Sequence, residues 1–119
     1  MGADTKCLDA ISLMKQRGYD QLPVVEPTNV LLGMVTVNAL MTKIAAGEIS
    51  IDSVVGDAIL KHFPRIDKDA TLGELTEMLK KSHYVVVVES LASDAAMVAG
   101  IVTHIDVLNY LIVADAYEH

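Results

Sequence analysis

An α/β fold, more narrowly α+β, built from one helix–strand–strand–helix unit used twice, is what the sequence predicts, and three observations carry it. Gly33-Met-Val-Thr-Val-Asn-Ala39 returns sixty-seven positions later as Gly100-Ile-Val-Thr-His-Ile-Asp106, with the glycine, the apolar pair and the threonine kept. Leu8 and Met14 return as Leu72 and Met78, sixty-four positions on. Helical apolar spacing alternates with short β runs, and no long connection separates them. The two halves are expected to be related by a pseudo-twofold axis, with their sheets facing each other, helices flanking them, and equivalent clefts between.

The elements follow in chain order. Asp4 or Thr5 is placed to cap a first helix through Leu8, Ile11 and Met14, with Lys15 and Arg17 near its C-terminal end and Gly18 to stop it. Gln21 to Glu26 and Val30 to Thr36 read as strands of a hairpin, turned at Pro27, Thr28 and Asn29. Thr36 is a cap for a second helix through Leu40, Met41 and Ile44, ended by Gly47. After a linker, Asp52 or Ser53 is placed to cap a short helix through Val54, Val55 and Ile59, and Phe63 to Ile66 crosses over as an extended segment. Thr71 with Glu74 is a capping box ahead of the stripe Leu72, Leu75, Met78 and Leu79. Tyr84 to Val88 is too apolar for a wet face and is expected to be central in its sheet. Glu89 to Ala96 is a loop and Met97 to Thr103 a strand. From His104 a last helix carries Ile105, Leu108, Leu111 and Ile112 on one side. The repeat divides the chain into residues 1–50 and residues 51–119, the latter holding the linker helix and the second copy.

Composition narrows the function. At 119 residues, neither half alone buries much surface, and the 52% apolar content with a mean hydropathy of +0.40 assigns the excess to a shared core or a partner face. A net charge of −7 disfavours nucleic acid, anionic membrane and polyphosphate, all of which need a cationic surface. Cys7 is the one cysteine, so no intrachain disulfide forms. Nothing after Met1 reads as a signal peptide, and a cytoplasmic setting is the expectation.

Thr103 and Asp106 form the sharpest polar constellation. A threonine followed three residues on by an acid is a capping-box variant, yet Thr36 caps the matching helix with Ala39 where the acid would stand. A carboxylate at a helix start in a cleft also suits a vicinal diol, accepting from both ribose hydroxyls. Tyr19, Asp20 and Gln21, between the first helix and first strand, are either a polar turn or the opposite wall of that cleft. Ser82, His83 and Tyr84, the equivalent stretch of the second half, lack an acid and pair with the blunted Thr36 end as a degenerate second site. His62, His83, His104 and His119 share no metal-ligand spacing, and Lys61 with Arg65 make a small basic patch of solvated character. No phosphate loop, nucleophile elbow or catalytic acid pair is present, so the chain reads as a binding module with no catalytic residues.

Two copies of Gly-x-Val-Thr with one terminal Asp resemble a tandem pair of CBS domains, a Bateman module of two βαββα repeats. Gly18-Tyr-Asp-Gln-Leu-Pro-Val-Val25, Leu32-Gly-Met-Val-Thr36, Val55-Gly56 and Gly100 to Asn109 are most similar to the C-terminal regulatory region of the cystathionine β-synthases. That resemblance implies a parent enzyme of transsulfuration and cysteine biosynthesis that uses pyridoxal phosphate to condense serine with homocysteine, its catalytic domain lying outside these residues. It implies a module that restrains the catalytic domain, releases it in some members when S-adenosylmethionine binds, and pairs with its own copy. It assigns the adenosyl pocket to Tyr19, Asp20, Gln21 and Leu22 on one wall and to Val102, Thr103, Ile105 and Asp106 on the other. The alternative is a ligand-independent module that sets the oligomer. The family also places a strand before the first helix, where it helps to cover the adenine; with the chain starting at that helix, this strand is expected to be absent or trimmed.

Overall fold

The computed structural model describes residues 1–91 and 95–109, and the chain divides into two compact units, Met1–Phe63 and Pro64–His119. In the first, α1 (Cys7–Arg17) ends where Gly18 takes φ 72° and the Tyr19 N–H reaches back to the Met14 carbonyl at 2.9 Å. Only a residue without a side chain adopts that left-handed turn at no cost. β1 (Gln21–Val25) and β2 (Leu31–Thr36) form the expected antiparallel hairpin, with Gln21 opposite Thr36 and Pro23 opposite Met34. Its turn closes through the Glu26 N–H to the Val30 carbonyl at 2.9 Å, with Asn29 at φ 69°. Thr36 caps α2 (Val37–Ala45), its hydroxyl accepting from the Ala39 N–H at 3.0 Å, and Gly47 follows at φ 76°.

Two expectations are corrected here. Neither Asp4 nor Thr5 caps α1; Lys6 stands at that position and offers no side-chain bond. The first amides of the helix are satisfied from a distance instead, Cys7 N–H by the Ser53 carbonyl at 2.8 Å and Leu8 N–H by the Ile51 carbonyl at 3.0 Å. A tertiary partner has done what a local cap would do. The short helix expected from Asp52 or Ser53 through Ile59 shrinks to one 3-10 turn, Val55–Ala58, capped at Val54 without a side-chain bond. Its flanks are held extended by bridges from Lys6 to Val54 and from Met34 to Leu60, which leaves room for a single turn.

The core of this unit gathers Cys7, Ala10, Met14, Val24, Val35, Leu40, Val55 and Ala58. The buried face of α1 is therefore turned one residue from the expected stripe, and Leu8 is 45% exposed. Residues 51–63 pack with the first unit, whose sheet edge they close. Met1 lies along β1, its ammonium donating to the Pro23 carbonyl at 3.3 Å and its carbonyl accepting from the Val25 N–H at 2.8 Å. It occupies the lane against β1 that Ile66 occupies against its own strand in the second unit.

Cys7 is fully buried and unpaired, and burial, with Asp57 adding to it, pushes its thiol above the usual range. A thiol reagent at neutral pH is expected to leave the folded chain unmodified and to label this residue only after denaturation; rapid labelling of the native chain would contradict the packing.

In the second unit β3 (Arg65–Asp67) runs parallel to β4 (Tyr84–Ser90), and β5 (Ala96–Thr103) pairs antiparallel to β4 on the other side. The sheet order is β3-β4-β5, so Tyr84 to Val88 is central as expected, with Val85, Val86 and Val88 buried. α3 (Leu72–Leu79) carries the predicted capping box: Thr71 Oγ1 accepts from the Glu74 N–H at 3.1 Å and Glu74 accepts from the Thr71 N–H at 3.4 Å. Residues 104–109 are helical (α4); Leu111 and Ile112 of the expected stripe, and His119, lie outside the described residues.

Asp67 ends β3 with its carboxylate accepting from the Asp69 N–H at 3.1 Å and from the Ser90 hydroxyl at 3.0 Å, bonds that lower its pKa from the ordinary 3.8. A depressed folded-state value contributes stability above the unfolded value and loses it as pH falls through the folded one. Urea midpoints of wild type and Ser90→Ala are expected to differ at neutral pH and to converge below about pH 4; a gap that persists in acid would contradict the assignment.

Candidate functional site

The polar ends of the two units are built alike and finished differently. In each, a β strand delivers a threonine to a helix start: Thr36 from β2 and Thr103 from β5. Beside Thr36 the chain leaves α1 through Tyr19 and Asp20, Gln21 pairs with Thr36, and the Val37 N–H donates to the Asp20 carbonyl at 3.0 Å. Beside Thr103 stands Tyr84, its opposite number in β4, with His83 before it. Within the first unit the structure thus brings Tyr19, Asp20, Gln21 and Leu22 to the Thr36–Ala39 end. Within the second it brings His83 and Tyr84 to the Thr103–Asp106 end.

At the first end the threonine hydroxyl bonds the Ala39 amide and no acid follows. At the second, Asp106 Oδ2 accepts from the Thr103 N–H at 2.9 Å and from the Thr103 hydroxyl at 3.1 Å, while the Asp106 N–H approaches Thr103 Oγ1 at 3.5 Å. The capping reading of this pair is thereby realised, and it consumes one carboxylate oxygen. Oδ1 has no protein partner among the described residues, and the side chain is exposed. One oxygen anchors the helix, and the other is left with its acceptor capacity.

Each end, taken within its own unit, carries aromatic and aliphatic side chains. Tyr19 is 50% exposed and Ile105 is 63% exposed, both unusually open for side chains of that size. Val102 and Leu22 are half-buried on their strands. Tyr84 is also half-buried, and burial raises its phenol above the ordinary range, so it is neutral at physiological pH. Among the described residues no three of His, Cys, Asp and Glu converge on a point where a metal could sit, and no helix is long and apolar enough to cross a membrane.

Sequence reasoning missed one concavity. Thr76, Leu79 and Lys80 of α3 and its C-terminus face His104, Val107 and Leu108 of α4 across a groove of about 210 Å³. The His104 imidazole Nε2 meets the Leu79 carbonyl, tying the start of α4 to the end of α3. The signal was the apolar spacing of the last helix, which puts Leu108 on one side with Ile105; Leu108 is 53% exposed.

The model of the family described as CBS domain matches residues 2–46 and 55–113. The chain is 30% identical over 127 residues to cystathionine beta-synthase of Mus musculus, an alignment covering 88% of this chain and 23% of that protein. It therefore spans about a quarter of the length of that curated relative. Among solved structures, AcuB from Vibrio cholerae superposes with a TM-score of 0.83 at 19% identity, covering 99% of this chain and 85% of that one. CbpB in complex with c-di-AMP superposes with a TM-score of 0.75 at 15% identity, covering 100% of this chain and 81% of that one. With the family model spanning both halves, the chain belongs to the CBS-domain family and carries two of its repeats.

Proposed function

We propose that this chain is the regulatory module of a cystathionine β-synthase-like enzyme, sensing an adenosyl ligand, S-adenosylmethionine, in the cleft between its repeats and so relieving autoinhibition of a catalytic domain. The observation that carries the reading is the asymmetry of the two helix starts: Asp106 keeps a carboxylate oxygen with no partner among the described residues, where Ala39 has no acid to offer. In this reading the ribose hydroxyls donate to Asp106 Oδ1 and share Oδ2, with Thr103 holding the carboxylate in place. Val102 and Ile105 on that wall, and Tyr19 and Leu22 on the other, supply apolar surface for the adenine, while Asp20 meets the sulfonium and Gln21 supplies an amide. Thr36, Ala39, His83 and Tyr84 form the degenerate counterpart.

Two further facts support it. Mus musculus cystathionine beta-synthase is among the relatives, and CbpB, a structural neighbour, was solved in complex with c-di-AMP. Calorimetric titration of the folded chain with S-adenosylmethionine tests it. Saturable heat is expected, and the absence of heat at millimolar ligand overturns the reading.

A second reading rests on exposed apolar side chains at Met41 of α2 and at Ile105 and Leu108 of α4: a ligand-independent module that pairs with its own copy and sets oligomeric state. Sedimentation of a monomer at high protein concentration would remove it.

A further inference from the structure

The two hairpins share a register that settles where their outer backbone groups point. In the first unit Pro23 faces Met34, and the N–H and C=O of Met34 turn away from β1 to bond Leu60 O at 3.0 Å and Leu60 N at 2.8 Å. In the second, Val86 faces Ile101, and the Val86 N–H turns to the Pro64 carbonyl at 3.0 Å, away from β5. In an antiparallel ladder such a pair is of the non-hydrogen-bonded kind, so the N–H and C=O of Ile101 also point away from β4. Among the described residues neither group has a partner.

The neighbouring glycines carry the same contrast. A Cβ on Gly33 would lie 2.1 Å from Ile59 Cγ2 and 2.7 Å from the Leu60 carbonyl oxygen, whereas a Cβ on Gly100 would meet nothing within 4 Å. One edge is closed by an Ile-Leu pair in extended conformation, and at Gly100 and Ile101 its counterpart has no such cover among the described residues. β5, Ala-Met-Val-Ala-Gly-Ile-Val-Thr, has no charge and no proline, the usual guards of a free edge.

We propose that the edge of β5 at Gly100 and Ile101 is a docking site for an extended segment of a partner polypeptide, an aliphatic pair of the Ile-Leu kind followed by a basic residue. The segment adds to the sheet by an antiparallel bridge to Ile101 and lays its first side chain over Gly100. The occupant's chemistry is that of Ile59 and Leu60, with Lys61 behind them, on the equivalent edge. A basic flank also suits a chain whose net charge is −7, and an acidic one does not.

The probe is a blocked peptide with the sequence of residues 57–62, added to the full 119-residue chain, with amide exchange read by NMR. Without peptide, the Ile101 amide is expected to exchange fast and the Met34 amide slowly. Millimolar peptide should slow Ile101 by at least ~tenfold, and a peptide with lysine in place of its Ile-Leu pair should not. Gly100→Val, filling the space the incoming side chain needs, should cancel the effect while leaving Met34 protection and circular dichroism unchanged; Gly100→Ala serves if valine perturbs the strand. Ile101 as protected as Met34 in the free chain, no slowing with peptide, equal slowing with the lysine peptide, or slowing retained in a folded Gly100 variant would each overturn the proposal. So would protection of Ile101 that rises with protein concentration alone, which would assign the edge to a second copy.

Discussion

Gly33→Ala is expected to destabilise the first unit by about 1–3 kcal/mol, the usual cost of forcing atoms into a packed site, and Gly33→Val by more. The reason lies in which atoms stand opposite. Ile59 Cγ2, at 2.1 Å from the added Cβ, is the end of a side chain and could rotate aside. The Leu60 carbonyl oxygen at 2.7 Å is backbone, fixed by its bond from the Met34 N–H at 3.0 Å. Relief therefore requires the bridge to open, exposing two backbone groups of Met34 and the apolar pair that covers them. Gly100→Ala, at the matching position of the repeat, meets open space and is expected to be neutral or slightly stabilising, because alanine loses less chain entropy in a strand than glycine. Urea unfolding of both variants checks this; equal losses of stability would mean that the bridge does not constrain Gly33.

Asp106→Ala is expected to weaken S-adenosylmethionine binding on the order of 100-fold, if the ribose hydroxyls rest on this carboxylate, since charge-assisted hydrogen bonds are worth about 1.5–3 kcal/mol each. The same substitution removes the carboxylate half of the capping box at the start of α4 and leaves the Thr103 N–H without that acceptor, at a cost of about 1 kcal/mol, so lost binding alone would be ambiguous. Asp106→Asn separates the two effects. Its amide oxygen still accepts from the Thr103 N–H and retains the cap, whereas the negative charge offered to the diol is gone. Binding weakened in both variants with stability recovered in the asparagine one supports a ligand role. Undiminished binding in Asp106→Ala would place the ribose elsewhere. Ala39→Asp, which restores an acid to the first helix start, is expected to leave affinity unchanged.

Much of this was legible before any coordinates, where the physics is local. Gly18 and Gly47 end their helices in left-handed turns, Thr71 and Glu74 exchange bonds across three residues, and the valine run of β4 announces a central strand. What was not legible depends on residues far apart in the chain. Nothing near Lys6 reveals that Ser53 and Ile51 supply the acceptors for the start of α1. For the same reason the stretch after Asp52 read as a helix, because its extended flanks come from bridges to Lys6 and Met34. The candidate site divides along the same line. The members of the Thr103–Asp106 pair stand three residues apart and its asymmetry with Thr36–Ala39 is visible in the letters, whereas the split use of one carboxylate, Oδ2 engaged and Oδ1 without a partner among the described residues, needs coordinates.

The dependence of α1 on Ser53 and Ile51 has a consequence for how such a chain can be cut or recombined. Its period in sequence and its boundary in space are out of phase, because the stretch that introduces the second copy finishes the first. A truncation after Ser50 would keep every residue of the leading repeat and still strip the acceptors from its opening helix, along with the cover from its sheet edge. A scissor set after Phe63 would keep both with the body they complete.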